Sequence, residues 1–261
     1  MGPLRPCIAF VLSFVTLLSP TIAQQAPAAM QPSILLQGSL AALAPTGVPV
    51  DSILTGSARR IAGSDDEVGS VTYKAVSTGS ARFDFSYPSG SRTEVRSFVD
   101  GDLAGSWSGP DGVSHEIAYH NLVNNGGIFP AFTLSTVATA RDFVVAMIGL
   151  ETKNGSSVYH LSVSRQFSQP SLKPLEHLSQ MEIFVDTVTF LPMALEFSIH
   201  PDDNAAIDIP VELLFSDYRS VSGVKIPFHV QKFVNNSLAL DLQFQSASIN
   251  TGLSASLFDI Q

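Results

Sequence analysis

Histidines close to carboxylates are the residues of this sequence best suited to metal or acid–base chemistry. The segment His200-Pro201-Asp202-Asp203 places one histidine and two carboxylates within four residues, a set of ligands that suits a divalent metal. Proline and aspartate are also common turn residues, so a turn after a strand is the alternative, and it is the interpretation we favour. A metal-assisted hydrolase centred on His200 and Asp202 is the least favoured functional hypothesis.

Two further patterns resemble catalytic motifs without meeting their requirements. His115-Glu116 with His120 is similar to a zincin motif, but that motif needs its histidines four residues apart on a helix. In a strand, the observed spacing directs the two rings to opposite faces. The segment 105–109 has Trp107 where a nucleophile elbow needs serine, and we interpret it as a glycine-rich strand with a buried tryptophan. We therefore expect no enzymatic activity and no cofactor.

The composition indicates a folded, acidic protein. The chain has 261 residues, of which 45% are hydrophobic, and 17 of them are phenylalanine, so it can form a sizeable core. It has 23 acidic and 14 basic residues, a net charge of −9, and no cluster of lysine and arginine. Nucleic-acid binding is not expected, because affinity for phosphates comes from such clusters.

The first 23 residues have the pattern of a secretory signal peptide. Arg5 precedes an apolar stretch from Cys7 to Leu18, and the small-residue pattern of a cleavage site ends at Ala23. The apolar stretch is shorter than the roughly 20 residues that span a bilayer, and no later run reaches that length. We predict cleavage after Ala23, a flexible tether over residues 24–31, no transmembrane anchor after cleavage, and export, with the periplasm as the favoured compartment. Cys7 is the only cysteine, so the mature chain has no disulfide.

Residues 32–261 are predicted to form one domain with an N-terminal helix followed by strands. The leucine spacing over residues 33–43 predicts an amphipathic helix with Ser33 as its N-cap. The hydrophobic period then changes to two, as in Arg82–Tyr87, where aromatic and polar residues alternate. Turn signals separate the predicted strands, which cover residues 68–77, 81–87, 93–99, 103–108, 113–120, 143–151, 158–165, 181–188, 193–200, 207–218, 224–233 and 238–249.

These strands predict a mainly β fold with a few helices. About a dozen strands joined by short turns favour one large curved antiparallel sheet or an open barrel. Residues 129–142 and 171–180 lack the alternation and are predicted to form short helices across one face of the sheet. Pro227 interrupts an otherwise regular strand and predicts an edge position or a bulge, because proline cannot donate a hydrogen bond to its neighbour.

The C-terminal third resembles the closing hairpin of the LolA-like periplasmic lipoprotein-carrier superfamily. The resemblance rests on Phe215–Arg219, on Gly223–Phe228, and on the following alternating strand, which ends in Ser248-Ile249-Asn250 before Leu257-Phe258. It implies a strongly curved antiparallel sheet, an unclosed barrel, covered by the N-terminal helix and short inserted helices and enclosing an apolar cavity for acyl chains. In that superfamily an arginine holds the lid; the candidates here are Arg59, Arg60 and Arg82.

The favoured function is binding without chemistry. We expect an exported soluble protein that binds an apolar ligand, a lipid or the acyl chain of an acylated protein, in the cavity of the curved sheet. The alternative is a cell-envelope interaction or scaffold protein with a packed core, which acts through an exposed sheet edge. The residues predicted to line the ligand cavity are Phe83, Phe85, Trp107, Phe129, Phe132, Phe215 and Phe244.

Overall fold

The computed structural model describes residue 2 and residues 30–99, 101–124 and 127–260. The predicted signal peptide, apart from Gly2, and residues 24–29 of the predicted tether lie outside the described residues. Within the described ranges, no helix is both long enough and apolar enough to cross a membrane.

Two α-helices occur, α1 (Pro32–Leu43) and α2 (Pro130–Thr139). Each begins with a proline, whose fixed φ and missing N–H suit the first turn of a helix. Because Pro32 already occupies the first turn, Gln31 takes the N-cap position, and the predicted N-cap at Ser33 is wrong. Helix α2 confirms the helix predicted within residues 129–142. The second predicted interruption forms two short 3₁₀ helices, Pro170–Leu175 and His177–Ser179.

Thirteen antiparallel strands of the described chain form one sheet. They are β1 (Asp51–Ala62), β2 (Asp65–Val76), β3 (Ala81–Tyr87), β4 (Gly90–Val99), β5 (Asp102–Ser108), β6 (Ser114–Glu116), β7 (Phe143–Lys153), β8 (Ser156–Arg165), β9 (Met181–Asp186), β10 (Pro192–Ile199), β11 (Ile209–Val221), β12 (Val224–Val234) and β13 (Ser237–Ile249).

The sheet consists of two meanders joined side by side. Its strand order is β6-β5-β4-β3-β2-β1-β13-β12-β11-β10-β9-β8-β7, so every neighbouring pair is consecutive in sequence except β1 and β13. Strands β6 and β7 lie at the two ends of this order and do not pair with each other in the described chain. The segment that contains α2 connects them. The predicted fold, a strongly curved and unclosed antiparallel sheet with helices over it, is therefore confirmed.

The two helices cover part of the concave face of the sheet. Helix α1 contacts α2 and also strands β7 and β12. Leu35 and Leu43 of α1 are fully buried, and they belong to the same apolar cluster as Leu134 of α2 and Leu54 of β1. The helices thus fill one part of the space inside the curved sheet with a close-packed core.

Strand β1 was missed by the sequence-based prediction, although it joins the two meanders. Leu54, Gly56, Ala58 and Arg60 alternate along it, and Leu54 and Ala58 are fully buried. The register with β13 shifts at Gly56, which is a bulge. Glycine and alanine carry almost no hydrophobic signal, so the alternation of this strand is invisible in the sequence.

Two other local predictions have different outcomes. The strand predicted over residues 113–120 is mostly wrong, because only Ser114–Glu116 pairs with β5 and the chain then forms a 3₁₀ helix at Tyr119–Asn121. His115 and His120 therefore do not share a strand.

Pro227 lies where β12 pairs with β11 alone, since the described pairing with β13 runs only from His229 to Val234. Its predicted edge position is confirmed.

Asp51 at the start of β1 fixes the C-terminal segment. Its carboxylate accepts hydrogen bonds from the backbone N–H groups of Thr251 at 2.7 Å, Gly252 at 2.8 Å and Leu253 at 3.2 Å, and from the Thr251 hydroxyl at 2.9 Å. Burial raises the pKa of Asp51, but these hydrogen bonds outweigh burial and hold its pKa below the usual value. The ionised carboxylate therefore stabilises this end of the fold.

Candidate functional site

A partly open cavity of about 480 Å³ lies on the concave side of the sheet, where the helices do not fill it. Its walls come from strands β1 to β5 on one side and from β10 to β13 on the other. The volume falls in the range of roughly 300–1,000 Å³ that is typical of sites for small molecules. Because the two walls belong to different meanders, the pairing of β1 with β13 creates the cavity.

An aromatic row, formed by Tyr73, Phe83, Phe85 and Tyr87, makes up one wall. The ring centroids of successive members are 4.6, 5.4 and 5.6 Å apart, and the last three rings are stacked nearly parallel. The period of two in β3 directs its three aromatic side chains to one face, and Tyr73 joins them because it pairs with Phe83 across the strands. Burial raises the pKa of Tyr87 to about 12. The row presents a continuous apolar surface to the cavity.

Aliphatic side chains form the opposite wall. Leu213 of β11, Val230 of β12, and Leu240 and Leu242 of β13 all line the cavity. Val230 pairs with Leu242, so the branched side chains lie side by side across the strands. An apolar molecule between the walls contacts aromatic rings on one side and aliphatic groups on the other.

Charged residues also line the cavity. Arg60 forms an ion pair with Glu67 at 3.3 Å, and Arg96 forms one with Glu94 at 3.3 Å. Glu94 is surrounded by protein yet keeps 36% of its side-chain surface exposed, as expected for a residue on the wall of an open cavity. Burial raises the pKa of Glu94, but the charges of Arg96 and Lys232 outweigh burial and lower its pKa. Glu94 is therefore ionised at neutral pH.

No protein-family model matches the sequence, and no curated protein matches it at a significant level. Solved structures do match the fold. A putative outer membrane lipoprotein-sorting protein domain from Vibrio parahaemolyticus has 13% identity and a TM-score of 0.55, over 87% of this chain and 96% of that one. A DUF1329 family protein from Desulfovibrio piger has 12% identity and a TM-score of 0.57, over 88% and 98% of the two chains.

A LolA superfamily protein from Nitrosomonas europaea has 10% identity and a TM-score of 0.55, over 88% of this chain and 98% of that one. The chain has a LolA-like fold. At this level of identity the similarity concerns the fold alone, so the functional argument depends on the residues of this chain.

In this LolA-like fold, three of the seven predicted lining residues reach the cavity. Phe83 and Phe85 belong to the aromatic row, and Trp107 of β5 lies beside them on the wall. Trp107 is 42% exposed, and its ring stacks on His115 at a centroid distance of 4.3 Å. The expectation of a buried tryptophan is wrong, because β6 beside it is only three residues long and leaves the ring uncovered.

The other four predicted residues lie elsewhere in the core. Phe129 and Phe132 pack against each other at a centroid distance of 4.3 Å and line a separate cavity of about 70 Å³ near α2. Phe215 and Phe244 are buried in the main apolar cluster and are not part of the wall of the large cavity.

Sequence reasoning missed several residues of the cavity wall. Tyr87 continues the alternation of Phe83 and Phe85 and could have been found from that signal. Tyr73 lies on β2, next to β3, and alternates with polar residues there, so the same signal could have found it. Lys232 comes from the distant strand β12, and no local pattern marks it.

Of the three arginines considered for a lid, only Arg60 lines the cavity. Arg59 is paired with Asp66 at 2.6 Å at the surface. Arg82 binds Asp84 at 2.8 Å, and its guanidinium also donates to the carbonyl of Leu257 at 3.4 Å.

His200 is a buried residue at the end of β10. Its ring lies edge-on to those of His120 and His177, with centroid distances of 5.9 and 6.0 Å, and its Nδ1 is 3.1 Å from the carbonyl oxygen of Ile207. Asp202 is exposed in a turn, where the N–H of residue 204 donates to the carbonyl of residue 201 at 3.0 Å. The turn interpretation is therefore confirmed. Among the described residues, no group of three or more histidine, cysteine, aspartate or glutamate side chains is arranged to hold a metal ion.

Proposed function

We propose that this chain is an exported, non-enzymatic protein that binds an apolar ligand, a lipid or the acyl chain of a lipoprotein, in the cavity between the two meanders. The aromatic row carries this proposal, because it presents stacked rings to a space that protein side chains leave open. Each acyl methylene buried there contributes about 0.8 kcal/mol to binding.

Partial filling of the concave face supports a cavity rather than a packed core. Helices α1 and α2 cover one part of the sheet, but Phe83, Phe85 and Leu240 are only partly buried and line open space. A protein that needed the sheet only as a scaffold would gain stability by burying these side chains completely. A bound acyl chain would supply the missing contacts.

The N-terminal sequence supports export. Residues 1–23 have the charged start, apolar stretch and small-residue cleavage site of a secretory signal peptide. The matched protein from Vibrio parahaemolyticus is described as a putative outer membrane lipoprotein-sorting domain, which fits the same compartment for the present chain. We propose the periplasm as its location.

The proposed ligand site can be tested by a substitution that places a larger side chain in the cavity. Leu240 of β13 lines the cavity, whereas Gln245 of the same strand is exposed and lies outside it. Leu240→Trp should weaken binding of the neutral fluorescent probe N-phenyl-1-naphthylamine by about 10-fold or more, because the larger ring occupies the space of the probe. Gln245→Trp is the matched control and should bind like the wild type.

Circular dichroism and thermal unfolding should show that both variants are folded. Equal probe affinity for a folded Leu240→Trp and for the wild type would contradict a ligand site in this cavity. Absence of any probe binding to the wild type would contradict the proposed function itself.

A second candidate function has one observation in its favour. Strand β7 is an edge of the sheet, and its apolar residues Val144, Ile148 and Leu150 are exposed. An exposed apolar edge strand suits pairing with another protein. In that case Ile148→Lys, and not Leu240→Trp, should abolish chemical cross-linking of the chain to envelope proteins.

A further inference from the structure

The wall of the cavity is positively charged although the chain is acidic. The lining includes four cationic side chains, Arg60, Arg92, Arg96 and Lys232, and one carboxylate, Glu94. The whole chain has a net charge of −9. An acidic protein that places an excess of cations inside an apolar cavity concentrates positive potential there, because low-dielectric walls focus the field.

Partners within the protein account for only two of these cations. Arg60 is neutralised by Glu67, and Arg96 by Glu94. Within the described residues, neither Arg92 nor Lys232 forms a direct ion pair or hydrogen bond; Glu67 acts on Arg92 and Glu94 on Lys232 only at longer range, and the Arg92 Nε atom is buried without an acceptor. Two positive charges thus remain on the wall without a directly bonded partner among the described residues.

Unpaired cations in such a place are costly unless an anion joins them. Burial lowers the pKa of Lys232, and although the charge of Glu94 opposes this effect, the charge of Arg96 adds to it. An anionic group beside Lys232 would also be attracted by Arg96, which is within electrostatic range, and these two cations outnumber the one carboxylate there, Glu94. Hydrogen bonds between ionised partners are roughly twice as strong as neutral ones.

The cations lie directly beside the apolar surfaces. Phe85 of β3 pairs with Arg92 of β4, so the strand that carries the aromatic rings lies next to the strand that carries the charges. On the opposite side, Lys232 lies between Leu213 and Leu240 in the register of β11, β12 and β13. A ligand that fits both features has an apolar body and an anionic end.

We propose that the ligand is an anionic amphiphile whose carboxylate or phosphate group is bound at the cationic wall, by Lys232 beside Arg96 or by Arg92, with its apolar body along the aromatic row. This inference rests on the proposed function, because it specifies the ligand of the same cavity. A fatty acid and a phospholipid share the required chemistry, an anionic oxygen group attached to an apolar chain.

The test compares amphiphiles that share one chain length. Dodecanoate, dodecyl phosphate, dodecanol and dodecyltrimethylammonium would each displace N-phenyl-1-naphthylamine from the full chain. We expect dodecanoate and dodecyl phosphate to bind at least about 10-fold more tightly than dodecanol. Dodecyltrimethylammonium should bind more weakly than dodecanol. Tighter binding of dodecanoate would indicate a carboxylate ligand, and tighter binding of dodecyl phosphate a phosphate ligand.

The matched variants separate the charge from the cavity. The double variant Arg92→Gln/Lys232→Gln should lose about 10-fold in affinity for the anions and keep the dodecanol affinity of the wild type. The control, Arg141→Gln/Lys225→Gln, removes the same charges from exposed positions and should change neither.

A measurement on the wild type covers the case of a misfolded variant. Raising the salt concentration to about 1 M shortens the screening length to about 3 Å and should weaken binding of dodecanoate but not of dodecanol. Equal affinity for dodecanol and both anions, without salt dependence, would overturn the inference and leave the proposed function intact. Failure of every amphiphile to displace the probe would overturn both.

Discussion

Gly56→Ala should weaken the junction between β1 and β13, on which the cavity depends. A Cβ atom added at Gly56 would lie 2.2 Å from the carbonyl oxygen of Gln243 and 2.6 Å from the Cα of Phe244. Both neighbours are backbone atoms, so rotation of a side chain cannot relieve the contact. The strands approach this closely at the bulge between Thr55 and Gly56.

The geometry sets the size of the effect. A carbon and a carbonyl oxygen normally approach to about 3.3 Å, so the two strands must separate locally by about 1 Å. A ladder hydrogen bond of about 2.9 Å does not survive that change. If two such bonds are lost at about 1–2 kcal/mol each, and the lower entropy of the unfolded alanine chain returns about 0.5 kcal/mol, the net loss is about 1.5–3.5 kcal/mol.

Thermal unfolding followed by circular dichroism measures this loss. For a domain of this size, about 2–4 °C of Tm corresponds to 1 kcal/mol, so the variant should unfold about 3–14 °C below the wild type. Gly109→Ala is the control, because the nearest atom to its added Cβ is 3.4 Å away, and it should stay within about 0.5 kcal/mol of the wild type. Equal Tm values for Gly56→Ala and the wild type would refute the close approach of β1 and β13.

Two other substitutions test electrostatic contacts of the fold. Asp51→Asn should cost about 2 kcal/mol in urea unfolding at neutral pH, because the buried N–H groups lose a charged acceptor. The lowered pKa of Asp51 stabilises the fold above pH 4, so the difference should narrow as the pH falls below about 4; a difference independent of pH would contradict the assignment. Lys153→Met should cost about 1 kcal/mol, because Lys153 bridges the partly exposed Glu196 and Glu212. High salt should reduce this cost, and an unchanged cost would argue against a charge effect.

The fold class was predictable from the sequence because the strands with large apolar side chains show a clear alternation. Phe83, Phe85 and Tyr87 alternate with polar residues, and β3 has the predicted bounds, because side chains two residues apart share one face only in a strand. Strand β1 was not predicted, because Gly56 and Ala58 carry its inward pattern without bulk. Its pairing with β13, almost two hundred residues away, depends on tertiary structure that no local pattern encodes.

The candidate site was predictable only in part for the same reason. The alternation of apolar residues along a strand shows which face of the sheet Phe215 and Phe244 occupy. It does not show whether other parts of the protein cover that region of the face. Both residues are buried in the apolar cluster that also contains the helix residues, and the cavity lies elsewhere along the sheet. The charged wall was not predicted, because Glu94 and Lys232 lie in different meanders and come near each other only after β1 pairs with β13.

Native mass spectrometry of the purified protein tests the central claim most directly. The full-length sequence would be expressed with export in a Gram-negative host, and the protein would be analysed before and after extraction of lipids. A bound acyl-chain species near one-to-one stoichiometry, reduced in Leu240→Trp and retained in Gln245→Trp, is the predicted result. A mass without ligand, together with no uptake of added dodecanoate or dodecanol, would contradict the account.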